Sequence, residues 1–378
     1  MERPIIASRD LPAALALALA LAGIIAMAAP RPCRAQTADS GSGRSVSHRR
    51  IQPLPAIGSA PETGLQFGAT VLAVWEPAVE RRTRPTSLLA YALRTRKDQT
   101  RIGVEADHWT AGNAQRLAAT LQWQEFPLAY HGTGDRSVET ARELLTPRGF
   151  SGSLTVQQRL RGAIYAALGF VHADQQVQTE IGGALASGAI VGAGGGRTSE
   201  ITLGLLSDTR DHLFAPHSGL WVQLGYTRSI DGLWSDFAYG RFRLDARSYH
   251  AIGGEHVLAA QVLMVGLDGR PPFDRLALVG GSDILRGYAM GRYRDQVLVA
   301  SQTEYRTPLK RRLGAVLFVG AGLSSPSLTS LGDRVLLPSY GAGLRGQIDR
   351  TQRTSVRVDY GRGRDGASGL YIGFNQAF

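Results

Sequence analysis

From Gly64 to Phe378 the chain repeats one texture: segments of about ten residues alternate apolar with polar or small side chains, and Gly, Pro, Asp and Asn separate them. Residues 237–247 set Arg241, Arg243, Asp245 and Arg247 on one face and Ala238, Phe242, Leu244 and Ala246 on the other. In 101–109, Arg101, Glu105 and Asp107 oppose Ile102, Val104 and Ala106. In 354–361, Ser355, Arg357 and Asp359 oppose Val356, Val358 and Tyr360. A period of two is the signature of strands, because successive side chains leave a strand on opposite faces. The pattern predicts about sixteen segments, from 64–75 to 367–378, with separate ones at 162–173 and 177–190.

A soluble sandwich also alternates, but its strands are fewer and its apolar face is the inside. Sixteen segments, an even number at about 20 residues each with their turns, fit a closed transmembrane antiparallel barrel, apolar outside and polar within. The fold class expected is therefore all-β: a transmembrane β-barrel of about 16 strands. The chain also stops on a strand-like stretch, with Leu370, Ile372, Phe374 and Phe378 expected on one face. Phe374 and Phe378 are read as the C-terminal signal by which barrel-assembly machinery recognises and inserts this chain. One stretch strains the scheme. Residues 125–149 are long and charged, yet they follow the fourth segment, where a barrel with a periplasmic N-terminus should make a short turn.

The region before the barrel reads differently. Arg3 and Arg9 precede an apolar run from Leu11 to Ala29, and Cys33-Arg34-Ala35 offers a cleavage site before Gln36. Residues 1–35 are thus expected to be a signal peptide, 36–62 a disordered periplasmic lead-in, and 63–378 the barrel. Export places the barrel in the bacterial outer membrane, with outer-membrane lipid against its surface.

Composition narrows the function. Formal net charge is +11, and Lys97 and Lys310 are the only lysines, so almost all positive charge is arginine. Basic residues do not interleave with aromatics as in a nucleic-acid module, so no nucleic-acid partner is expected. Cys33 is the only cysteine, which rules out an internal disulfide. The histidines lack metal-ligand spacing, and no nucleophile elbow occurs. Asp208 and Asp211 read as turn chemistry rather than as a metal site. Val191–Gly196 is glycine-rich but has no βαβ context, and reads as a turn. No enzyme activity, metal or cofactor is expected.

The remaining exception to the alternation is the stretch 268–296. It carries Pro271, Pro272 and five glycines, yet also Phe273, Leu276, Val279, Ile284, Leu285 and Tyr288. A long aperiodic connection with this apolar content is expected to be a folded functional loop. Within it lie Gly280, Gly281, Arg286, Gly287 and Tyr288.

Four motifs then occur in order: Asp208-Thr209-Arg210-Asp211 with Pro216 and Gly219; Gly280-Gly281 with Arg286-Gly287-Tyr288; Glu304-Tyr305-Arg306-Thr307-Pro308; and Gly341-Ala342-Gly343-Leu344-Arg345 with Arg357-Val358-Asp359-Tyr360-Gly361 and the terminal Phe378. In order and spacing they resemble the barrel domain of the bacterial surface antigen superfamily, to which BamA, TamA and the two-partner-secretion transporters belong. The resemblance covers 200–378 by motif and 64–200 by pattern. It implies sixteen strands and a loop between the eleventh and twelfth that folds into the lumen as a lid. Arg286 would be the tip, Gly287 would permit the tight turn, Tyr288 would pack beside it, and Glu304 would be the partner of Arg286. The family's Phe-x-Asp-x-Gly segment appears as Phe318-Val319-Gly320-Ala321-Gly322, so Arg286 is expected to lack a partner from position 320. With 27 residues between the cleavage site and the first segment, the chain is expected to lack POTRA domains. The resemblance implies a role in outer-membrane protein assembly or translocation, with a client protein and a periplasmic partner as candidate associates. The alternative is a passive pore or structural barrel plugged by 268–296.

Overall fold

The computed structural model describes residues 49–75, 83–134, 142–179, 183–310, 312–349 and 353–378. The expected signal peptide and residues 36–48 of the expected lead-in lie outside them. Sixteen antiparallel strands form the barrel wall. In chain order they are β1 (Arg49–Ala60), β2 (Gly64–Trp75), β3 (Thr86–Thr95), β4 (Thr100–Trp109), β5 (Gln115–Glu125), β6 (Glu143–Arg161), β7 (Ile164–Thr179) and β8 (Gly195–Asp208). The second half comprises β9 (Gly219–Ser229), β10 (Tyr239–Ala251), β11 (Val257–Gly269), β12 (Val297–Lys310), β13 (Leu313–Ser325), β14 (Leu337–Asp349), β15 (Thr354–Arg362) and β16 (Ser368–Phe374). A short extension, Leu128–Tyr130, prolongs β5 along β6. Each strand pairs with its sequence neighbours, and β16 returns to β1.

The alternation builds this wall because its two faces meet different surroundings. Leu203, Leu205, Leu317, Val319, Leu344 and Leu370 point outward and are exposed, whereas Glu200, Asp245, Gln261, Gln302, Glu304 and Asp359 point inward and are buried. An apolar exterior around a polar interior suits a hydrocarbon surrounding, which offers apolar contact outside and no hydrogen-bond partners.

The count of sixteen agrees with the sequence pattern, but two of its members do not. Residues 49–60, expected within the disordered lead-in 36–62, are β1, paired along its length with β2 from Arg49↔Trp75 to Ala60↔Gly64. Pro53 and Pro55 hid it, since neither can donate a ladder hydrogen bond and proline ordinarily argues against a strand. Among the described residues the barrel therefore begins at Arg49 rather than at residue 63. Conversely, 177–190 is not a strand of its own; β7 runs on through Thr179, and the described residues from 183 to 194 are bends and turns. Restoring β1 also removes the parity problem of 125–149. That connection now joins β5 to β6 and falls on the same rim as the long stretch 270–296 between β11 and β12. The other rim carries shorter connections, among them 110–114, 162–163 and 252–256.

The β1–β16 seam is the thinnest junction of the wall. Its register holds one partnered position, Ser59↔Ile372, whereas β15 and β16 share seven, from Val356↔Phe374 to Arg362↔Ser368. Asn375 adopts a left-handed conformation (φ 60°), and the chain turns away from the wall there. Phe374 is exposed on the outer face with Leu370, but Phe378 is buried in the lumen against Tyr249, Val257, Ala259 and Ala377. The expectation that Phe378 shares a face with Phe374 is thus incorrect: alternation ends with the strand, and a left-handed residue intervenes. Continuing the seam register past Ile372 would set Gln376 against Pro55 and Phe378 against Pro53, positions where β1 has no N–H to offer.

Candidate functional site

The stretch 270–296 folds into the lumen rather than away from it. It is stiffened at its base by a small antiparallel pair, Ala277–Val279 with Tyr293–Asp295. Arg294 is buried there, donating to the Gly291 carbonyl (3.0 Å) and lying 5.0 Å over the Tyr130 ring. Phe273 packs edge-on against the same tyrosine, and so ties the lid base to the β5–β6 side of the barrel. Leu278 and Val279 continue the strand-like segment, and the chain then needs positive φ at Gly280 (92°) and Gly281 (119°). A Cβ on Gly280 would stand 2.7 Å from the Tyr288 carbonyl oxygen, so the residue must be glycine for the two arms of the tip to close.

Arg286 is the centre of the tip and is fully buried. Nη2 donates to Glu304 on β12, as the sequence resemblance implies. Nη1 donates to Asp359 on β15 at 2.6 Å. Its guanidinium lies 3.7 Å above the Phe318 ring of β13. Both carboxylates are fully buried and hold a second arginine each: Arg306 donates to Glu304 (2.9 Å), and Arg345 to Asp359. The result is a chain Arg306–Glu304–Arg286–Asp359–Arg345, three arginines on two carboxylates. Charges buried in this way persist only when every one is paired and hydrogen-bonded.

Position 320 does lack a carboxylate, but Arg286 keeps two partners. The second comes from Asp359, one strand beyond β14, and not from β13. Gly320 leaves room instead for Gln302, since a Cβ at 320 would stand 2.8 Å from the Gln302 Cβ. Gln302 in turn donates to the Asp283 carbonyl of the lid (2.6 Å). Asp359 was visible as an inward member of the Arg357–Val358–Asp359 alternation, but its reach to Arg286 depends on β14 carrying glycine at its inward positions. A Cβ on Gly343 would lie on top of the Asp359 carboxylate, and one on Gly341 would stand 2.5 Å from the Phe318 ring. The Gly341-Ala342-Gly343-Leu344-Arg345 motif is therefore a cleared floor under the lid tip, with Arg345 at its edge.

The backbone of the tip is held as firmly as its side chain. The Gly287 N–H donates to the Tyr371 hydroxyl (2.8 Å), which itself donates to the Tyr288 carbonyl (2.9 Å). The Tyr288 hydroxyl donates to the Pro338 carbonyl (2.7 Å) and accepts from the Arg364 N–H (2.7 Å). Ser339 caps the Arg286 carbonyl. Gly287 has φ 118°, and a Cβ there would stand 2.5 Å from the Arg362 carbonyl carbon. Leu285 takes a left-handed φ of 51°, a strained conformation for a branched residue, and is fully buried. Asp359, Tyr371, Ser339 and Phe318 are the tip partners that sequence reasoning did not name. Tyr371 and Ser339 carry no signal at that level beyond an inward register.

The first motif sits elsewhere. Asp208 accepts from Arg84 (3.1 Å) and Arg210 (2.9 Å), at the rim opposite the lid. Asp211 accepts from the N–H groups of His217 (2.8 Å) and Ser218 (3.1 Å). Burial pushes its carboxyl up, but those N–H donors and Arg353 outweigh it and hold the group below the usual carboxylate range. This is turn chemistry, and it does not join the lid.

Comparison with solved structures shows the same barrel fold. BamA from Haemophilus ducreyi lacking POTRA domains 1–3 aligns with a TM-score of 0.60 at 14% identity, over 88% of this chain and 70% of that one. CdiB from Escherichia coli aligns at 0.59 and 11%, over 87% of this chain and 67% of that one. CdiB from Acinetobacter baumannii aligns at 0.57 and 12%, over 88% of this chain and 66% of that one. No curated protein matches the sequence. A family model, the Omp85 superfamily domain, matches residues 89–378, most of the barrel wall and the whole of the lid: the chain belongs to the Omp85 superfamily.

Proposed function

We propose that this barrel acts in the bacterial outer membrane in the assembly or translocation of other proteins, with the β1–β16 seam as the place where a client strand engages. The observation that carries this reading is the seam itself. A passive pore gains nothing from an incomplete wall, because an unpaired strand edge in lipid costs several kcal/mol per group. Here one partnered position closes the seam, Pro53 and Pro55 withhold two further donors from it, and the last four residues turn inward instead of zipping along it. An edge of this kind can accept a strand from another chain by β-augmentation. The exposed apolar belt is the lipid contact, and a periplasmic partner or client would approach from the rim of short turns. Phe374, exposed beside the seam, and the inward-turned Phe378 serve in this reading as the C-terminal signal for the barrel's own insertion, and Arg286 with Glu304 anchors the lid.

The test is to lock the seam. With Cys33 replaced by serine to leave no native thiol, Ser59→Cys and Ile372→Cys place two cysteines at the paired position. The oxidised barrel should fail to maintain other outer-membrane barrel proteins or exported clients in a depletion strain, and reduction should restore them. Single-channel conductance should be the same in both states. Normal client levels with a locked seam would remove the assembly reading and leave the plugged pore.

A further inference from the structure

The end of the lumen opposite the lid contains a cavity of about 480 Å³, walled by the inward faces of β12–β15 and by the connections of that rim. Its lining is charged in one sense. Arg306, Lys310, Arg312, Arg345 and Arg353 border it, and Glu255 is the one carboxylate among the described lining residues. Arg306 and Arg345 are the deep members, fixed by Glu304 and Asp359, the same carboxylates that hold the lid. Arg353 is held against Asp211. Lys310 and Arg312 are exposed at the mouth and take part in no ion pair among the described residues. Arg306 keeps one guanidinium nitrogen, Nη1, without a hydrogen-bond partner.

Like charges gathered in a recess repel one another, and the cost is relieved when an anion binds. Glu304, Asp359 and Asp211 pair with Arg306, Arg345 and Arg353, but Glu304 and Asp359 are shared by three arginines, and Lys310 and Arg312 have no carboxylate partner among the described residues, so a net positive charge remains in the recess. Several guanidinium forks at different depths suit an anion with oxygens on more than one side, which a phosphate provides and a planar carboxylate does not. The volume lies within the range of small-ligand sites. We propose that this recess binds a small multiply charged phosphate ligand, of the phosphomonoester or pyrophosphate class, entering from the rim of short turns. The deep arginines would receive the phosphate, and Lys310 and Arg312 would attract it and close over its outer oxygens. The ligand could reach the site as a free solute or as the headgroup of a lipid at that rim; the recognising chemistry is the same.

The experiment is calorimetric titration of the detergent-solubilised full chain with pyrophosphate. Saturable binding should appear, weakening as salt is raised because the attraction is ionic. Lys310→Gln with Arg312→Gln removes charge at the mouth without touching the lid network, and should weaken binding about tenfold or more. Arg270→Gln, an exposed arginine at the other rim, should leave it unchanged. Repeating the titration in nanodiscs separates the sources. If the natural ligand is a headgroup, anionic phospholipid should compete with pyrophosphate and phosphatidylcholine should not; if it is a solute, neither lipid should compete. Either result supports the site. Absence of binding, binding that ignores the mouth variant, or binding that Arg270→Gln weakens as much as the mouth variant does, overturns the proposal.

Discussion

The lid tip and the seam lie on the same side of the barrel and are built to opposite specifications. Around Arg286, both Nη atoms, the Arg286 carbonyl and the Gly287 N–H have named partners, contributed by β12, β14, β15 and β16, while the buried Nε has none, and glycines at 341, 343 and 361 are set where any side chain would collide. At the seam, one position is paired, two prolines withhold donors, and the tail that would complete the ladder is tucked into the lumen. The strands that hold the lid thus include β16, one of the two seam strands, through Tyr371. In the proposed reading, with a client strand engaging at the seam, the difference divides labour: the lid braces β12–β16 as one plate, so that opening the seam would displace β1 and leave that plate intact.

The largest effect should come from unbalancing the network. Glu304→Ala leaves Arg286 and Arg306 to share one fewer carboxylate in a buried site, three arginines against Asp359 alone. It should cost about 3–5 kcal/mol, as removal of one partner of a buried pair does, measured by urea unfolding in detergent. Arg286→Ala leaves Arg306 on Glu304 and Arg345 on Asp359, two matched pairs. It should therefore cost less, about 1–3 kcal/mol, while raising protease access to 280–290. A larger loss for Arg286→Ala than for Glu304→Ala would contradict the charge balance drawn here.

Backbone strain comes next. Gly287→Ala places a Cβ against the Arg362 backbone at a φ that L-residues avoid, and should cost about 1–3 kcal/mol, with the lid again more accessible and the wall retained. The seam is expected to respond in the other direction. Pro53→Val with Pro55→Val returns two donors at positions that the register matches to Phe378 and Gln376. Each new hydrogen bond is worth about 1 kcal/mol. The variant should gain hydrogen-exchange protection in 53–56, draw Phe378 out of the Tyr249 pocket, and lose client activity as the wall closes. Unchanged protection would mean that the prolines do not hold the seam apart.

The smallest effect lies between the two regions. Glu62, in the β1–β2 connection, accepts from the Met290 N–H of the lid (3.3 Å). Burial pushes its carboxyl above the ordinary 4.5, against the pull of its backbone contacts and Lys97. Because the folded state prefers the protonated form, stability should rise modestly as pH falls from neutral through the raised value towards 4.5, with no further gain below. Glu62→Gln should abolish that slope in the thermal midpoint, compared side by side with the parent protein. An identical slope in both would assign the dependence to other groups.

Much of this was legible one residue at a time. Alternation at 237–247 and 354–361 is a local property, fixed by which face of a strand meets lipid, and it predicted wall, polarity and strand number. The lid announced itself by breaking the alternation while keeping apolar residues, and Arg286 with Glu304 followed from family motifs. What escaped was whatever depends on closure. Two errors compensated in the strand count, because β1 carries prolines that make sense only beside a gap, and because β7 is long enough to be read as two segments.

The sequence by itself determined the class of the protein, an all-β barrel interrupted by one long glycine-rich loop, since period-two patterning and its interruption are written along the chain; that the loop folds inward was implied by the family resemblance and is seen in the structure. Only the tertiary structure decided that Asp359 replaces the carboxylate absent at 320, that Phe378 leaves the outer face for the lumen, and that β1 meets β16 at a single position. These depend on which side chains a closed wall brings across the lumen and across the seam. Partners 73 residues apart, as Arg286 and Asp359 are, share no local pattern that could link them beforehand.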